Sequence, residues 1–84
     1  MKTHLNTLFV TLEGAYLHKD GSAVDIRHGG KSKLRIPLHN LDSICCFGWD
    51  SVVTTALMSA CAEAGVSLSF HNPQGKFIAS AQGF

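Results

Sequence analysis

"LRIPLHNLDSICCFGWDS", residues 34–51, is the passage on which the fold turns. Leu34, Ile36 and Leu38 alternate with polar neighbours, the two-residue period of a strand with one buried face. Pro37 has no amide to donate, so this strand lies at a sheet edge or is ending there. "HNLD", residues 39–42, reads as a turn. A second strand, Ser43–Phe47, follows and carries Cys45 and Cys46 on opposite faces. Two cysteines near a histidine and an aspartate are raw material for thiol or metal chemistry, and equally for an ordinary core strand.

Upstream, Leu8, Val10 and Leu12 alternate with Thr7, Phe9 and Thr11, giving a strand. Short alternating runs then follow around "KDGS" and "HGGKSK", whose glycines suit tight hairpins. Their apolar faces are Leu17, then Val24 with Ile26, then Leu34, Ile36 and Leu38. Downstream of Gly48 the period lengthens: Val53, Ala56, Leu57, Ala60, Cys61 and Ala64 share one helical face. Asp50 or Ser51 is placed to cap the start and Gly65 to end it. Beyond the helix, two strands flank "NPQG", which suits a type I turn. The expected class is α+β: a mostly antiparallel, sandwich-like β domain of about seven short strands with one amphipathic helix near residues 51–64.

Eighty-four residues make one small domain. Only 15% of them are charged, against roughly 25% in typical soluble domains, so part of the surface is expected to be covered by something else. A net charge of +1 sets up no global field toward nucleic acid or membrane. Three cysteines cannot all pair within one chain, which suits a reducing, cytoplasmic setting. No signal peptide and no membrane-spanning stretch is evident. The stop at "AQGF", close to the last strand, suggests a piece of something longer.

A nucleophilic Cys45 or Cys46 would need a base within reach, and His39 lies six residues upstream across a turn. The alternative is two small buried strand residues, since free cysteine is among the most buried residue types. Cys61 packs on the helix like a larger alanine. The histidines at 4, 18, 28, 39 and 71 are scattered, and no closely spaced Cys or His pair marks a metal site. Asp20, Asp42 and Asp50 fall in turns or at a helix start, where a carboxylate stabilises local backbone. "HGGKSKLR" gathers Lys31, Lys33 and Arg35, with Arg27 on the preceding strand, a cluster able to meet phosphates or simply to solvate a hairpin. The lone "GGKS" lacks the first glycine and the following helix of a phosphate-binding loop.

The segments "LNTLFVTLEGAYLHKDGSAVDIR", "LRIPLHNLDSICCFG" and "ALMSACAEAGVSLSFHNPQGKFIAS", in that order, closely resemble the N-terminal domain of the CRISPR-associated spacer-acquisition integrase, in a type I-C-like form. That family is a metal-dependent endonuclease that inserts spacers into the array. The resemblance implies that residues 1–84 are the β domain of a longer protein. A helical catalytic domain, absent here, would hold Mg2+ or Mn2+ on a glutamate, a histidine and an aspartate. No catalytic, cofactor or metal residue is then expected in this chain, and His39, Asp42 and Asp50 do not substitute. The resemblance further implies a cytoplasmic homodimer that engages a small adaptation partner protein and double-stranded DNA, without a membrane. Arg27, Lys31, Lys33 and Arg35 are candidates for DNA contact, and Tyr16 for stacking on a terminal base pair. The rival readings are a small cysteine-dependent enzyme using Cys45 or Cys46 with a histidine, and an unrelated β-rich interaction domain.

Overall fold

The computed structural model describes residues 2–4 and 6–81. The four-stranded sheet is built from local hairpins. Strand β3 (Tyr16–Asp20) pairs antiparallel with β4 (Ala23–His28), and β4 with β5 (Lys31–Pro37). Gly29 and Gly30 both take positive φ, 60° and 77°, which lets two residues alone close the β4–β5 turn. Lys31 and Lys33 therefore stand on β5, not in a connecting loop as the "HGGKSK" reading had it. Pro37 ends β5, which forms one edge of the sheet, as its missing amide requires.

The other sheet has five strands: β1 (Lys2–His4), β2 (Thr7–Val10), β6 (Ser43–Phe47), β8 (Ser67–His71) and β9 (Phe77–Ala81), adjacent in that order. Its centre is parallel, β2 with β6 and β6 with β8, while β1–β2 and β8–β9 are antiparallel. Parallel neighbours need a crossover. The β2–β6 crossover contains the β3–β4–β5 hairpins and a single 3-10 turn at Leu38–Asn40; the β6–β8 crossover contains the helix α1 (Thr55–Ala64).

All seven expected strands are present, and two short ones join them: β1, and β7 (Val52–Val53), which pairs parallel with β3. The second changes the helix start. Val52 N–H donates to Ala15 O (3.0 Å) and Thr54 N–H to Leu17 O (3.1 Å), drawing residues 52–54 into extended backbone. Neither Asp50 nor Ser51 is then the cap. Thr54 Oγ1 accepts from Leu57 N–H at 3.2 Å, and Gly65, at φ 72°, ends the helix as expected.

One core joins both sheets and the helix. Leu8, Val10, Ile44, Cys46 and Leu68 come from the five-stranded sheet; Leu17, Val24 and Ile26 come from the other; Leu57 and Cys61 come from α1. The buried stripe of the helix is narrower than its pattern suggested, since Ala56 and Ala64 are exposed.

Candidate nucleic-acid interface

The five residues singled out for DNA contact all lie on the β3–β4–β5 hairpins, and the structure treats them differently. Tyr16 and Arg27 are direct cross-strand partners. With Gly14, His28, Gly29 and Gly30 they border a cleft of about 240 Å³. Tyr16 is 43% exposed, its ring 5.7 Å from that of His18. Arg27 donates from Nη2 to Gly30 O at 2.7 Å and lies 3.7 Å from Asp25. Arg35 is at the far end of β5, where Nε donates to Asp20 Oδ2 (3.0 Å) and Nη2 to Asp20 O (3.2 Å). The side chains of Lys31 and Lys33 are exposed and have no ion-pair or hydrogen-bond partner among the described residues. Two unengaged ammonium groups on β5, and an exposed tyrosine two strands away on β3, are thus what remains available to a phosphate backbone.

The anchor of this face is Asp25, a buried carboxylate on β4. It accepts from Ser32 Oγ on β5 and from His18 Nε2 on β3 at 2.8 Å, tying three strands together. The Ser32 hydrogen bond, and then His18 and Arg27, hold its carboxyl below the ordinary value of 3.8 against the opposing cost of burial. His18 Nδ1 lies 3.2 Å from Lys19 O. Both ring nitrogens thus face oxygen atoms.

The cysteines read as scaffold. Cys46 is buried and its thiol is pushed up to about 12, chiefly by burial and further by the neighbouring thiols. Burial also raises Cys61. Cys45 is half-buried, and its Sγ accepts from Ser69 Oγ at 3.4 Å. The histidine near it is His71, not the exposed His39, and Ser69 Oγ stands between, 3.0 Å from His71 Nε2. Among the described residues no base reaches the sulfur directly, so no nucleophile arrangement is formed there. Among the described residues no three His, Cys, Asp or Glu side chains converge as ligands. The described residues thus offer no ligand set for a divalent metal, which the resemblance assigns to a further domain.

Sequence reasoning missed the outer face of the five-stranded sheet. Phe9 on β2 neighbours Phe47 on β6 (6.3 Å), Phe47 stacks on His71 of β8 (4.8 Å), and His71 meets Phe77 of β9 edge-on (5.7 Å). Beside this row lies an open groove of about 890 Å³, floored by Phe9 and Phe47 and closed by Glu13, Gly48 and the Pro73–Gly75 turn. Glu13 accepts from Trp49 N–H with both carboxylate oxygens at 3.2 Å and lies over Gly48. The available signal was the pair of phenylalanines, Phe9 and Phe47, at outward positions of core strands.

Both faces lie on a β domain with one crossover helix. Solved structures share the fold: a partial Cas6-RT-Cas1–Cas2 complex superposes with a TM-score of 0.82 at 14% identity, over 93% of this chain and 23% of that one. A TtCas1–DNA complex superposes at 0.73 and 18% identity, over 92% of this chain and 26% of that one. The fold is shared with these Cas1-containing structures. The particular family follows from sequence: residues 8–83 match the model of CRISPR associated protein Cas1, and the chain belongs to that family. A CRISPR-associated endonuclease Cas1 of Chlorobaculum tepidum is 47% identical over 99% of this chain and 24% of its own length. The chain therefore spans about a quarter of the curated relatives it matches.

Proposed function

We propose that this chain is the N-terminal β domain of a CRISPR spacer-acquisition integrase of the type I-C-like group. In this reading it pairs two subunits and positions double-stranded DNA, while cutting and joining are carried out elsewhere in a longer cytoplasmic protein. The observation that carries the reading is the family match over residues 8–83 in a chain that covers only 24% of a curated relative. The rest of such a protein would supply a helical domain with the glutamate, histidine and aspartate that hold Mg2+ or Mn2+. A small adaptation partner, of the kind named in the Cas1–Cas2 complex, would complete the assembly.

Within this chain the DNA-facing role falls to Lys31 and Lys33 on β5, with the exposed Tyr16 on β3, because Arg27 and Arg35 already have partners on their own hairpins. Duplex affinity of the longer protein, measured as a function of salt, tests this. Each phosphate contact contributes about 0.9 to the slope of log affinity against log salt. Replacing Lys31 and Lys33 by alanine should flatten the slope by up to about 1.8 without changing sequence preference. Replacing Arg35 alone should change it little. An unaltered slope in the double variant would reduce the cluster to a solvated hairpin.

A further inference from the structure

The groove on the outer face of the five-stranded sheet selects for one sign of charge. Its floor is two phenyl rings, Phe9 and Phe47, and of the described residues that line it only Glu13 is charged. That carboxylate is held from two sides. Both oxygens accept from Trp49 N–H at 3.2 Å, and the side chain occupies the space that a Cβ on residue 48 would fill. Gly48, at φ 133°, is thus what lets Glu13 lie at the rim of the groove. One shared N–H leaves acceptor capacity unused, since an ionised carboxylate offers about four lone-pair sites. Among the described residues no cationic side chain pairs with Glu13. Lys76, next to the Pro73–Gly75 turn, and His71, stacked on Phe47, are no exceptions. The groove therefore presents a fixed, unneutralised anion beside two aromatic rings.

We propose that this groove receives an arginine side chain of a partner protein, carried on a peptide segment that is otherwise uncharged. Phosphate-bearing and other anionic ligands are repelled by the one charge present. A purely apolar ligand would take water from Glu13 and return no partner to it. A guanidinium meets both demands, because it is planar and weakly hydrated, lies against an aromatic ring and donates from its edge to a carboxylate. A lysine ammonium is a strongly hydrated point charge and fits an apolar floor less well. The groove, at about 890 Å³, lies in the range of about 300–1,000 Å³ that takes ligands larger than one side chain, so residues flanking the arginine are seated as well. A second copy of this chain does not supply the arginine. Its two arginines are Arg27 and Arg35, the first bonded to Gly30 O and the second to Asp20.

The probe is N-acetylarginine amide, with N-acetylcitrulline amide as its uncharged isostere and N-acetyllysine amide as the point charge. Each is titrated into the isotope-labelled chain and followed by NMR. The Trp49 amide is the reporter, because its N–H is bonded to the carboxylate that the guanidinium would reach. Arginine amide should shift the Trp49, Gly48 and Gly75 amide resonances saturably, with a Kd on the order of 1 mM. Lysine amide should bind more weakly, and citrulline amide about tenfold more weakly than arginine amide. Glu13→Gln keeps an acceptor for Trp49 N–H and should abolish the advantage of arginine over citrulline. Gln74→Glu, which adds a second carboxylate at the rim, should tighten arginine binding about threefold and decides the matter even where Glu13→Gln fails to fold. Equal binding of arginine and citrulline amides, or the absence of a saturable shift, would overturn the proposal. Adenosine monophosphate shifting the same amides more strongly than arginine amide would make the groove a base-stacking site, and shifts on dilution alone would assign it to a second copy; either result would overturn it. The longer protein, labelled at tryptophan and glycine, should show the same arginine-dependent shifts. Their loss there would mean that the groove is covered within one protein, and the proposal would fall.

Discussion

Replacing Asp25 by alanine should cost this domain more than any other single change on its outer faces. The carboxylate accepts from Ser32 Oγ and His18 Nε2 and thereby ties β5 and β3 to β4. Hydrogen bonds to a charged group contribute about 1.5–3 kcal/mol each. The low end applies to the His18 bond, because the His18 side chain is 28% exposed and regains water when the partner is lost, whereas that of Asp25 is 7% exposed. Ser32 is exposed as well, so the low end applies to both and the two losses together come to about 3 kcal/mol. At about 4–8 °C per kcal/mol for a domain of this size, Tm should fall by roughly 12–24 °C. Asp25→Asn keeps the shape without the charge and should cost about half as much. Urea titrations of Asp25→Ala, Ser32→Ala and the double variant would separate the Ser32 share as a coupling energy. The pH dependence has a fixed sign. A carboxyl held below its ordinary value of 3.8 contributes stability that is fully present above that value and is lost as pH falls through the lower folded one. Asp25→Asn should remove that part of the acid transition. A cost below about 0.5 kcal/mol for Asp25→Ala, the range of ordinary surface changes, would refute the reasoning.

Three further outcomes follow from the geometry. Thr54→Ala should cost about 1 kcal/mol in urea unfolding, as loss of a helix cap does, while Asp50→Ala and Ser51→Ala should each stay within about 0.5 kcal/mol. Gly48→Ala places a side chain at φ 133°, against the Glu13 carboxylate; it should cost about 1–3 kcal/mol and shift the fluorescence of Trp49, the sole tryptophan. In the folded chain near pH 8, iodoacetamide should modify Cys45 alone, because Cys46 and Cys61 are buried with raised thiols; mass spectrometry showing rapid modification of Cys46 would contradict this.

The faces of the strands were legible because alternation reports burial directly: Leu8 and Val10 point inward and Phe9 outward, as the pattern indicates. Strand direction was not legible. A two-residue period is the same in parallel and antiparallel neighbours, so the parallel β2–β6–β8 centre left no mark in the sequence. The helix start was misplaced because "DSVVT" offers three residues able to cap, and the choice falls to Val52–Val53 pairing with β3, a contact between distant segments. The same distinction divides the candidate site. Its membership was visible because the hairpins are local. That Arg27 and Arg35 are already engaged was not, since Asp25 and Asp20 become their partners only once strand register is set. The aromatic row joins residues as far apart as Phe9 and Phe77, and only the sheet order brings them into line.

The central claim is that this chain is a pairing and positioning domain whose chemistry resides elsewhere. The most direct measurement places the 84-residue chain beside the longer protein on branched and linear duplexes, each with and without Mg2+ or Mn2+. The expected result is metal-dependent cutting or joining by the longer protein, retained when Cys45 and Cys46 are changed to alanine, and none by the chain alone, in which no three metal-ligating side chains converge among the described residues. Metal-dependent cleavage by the chain alone, surviving repeated purification, would contradict the account.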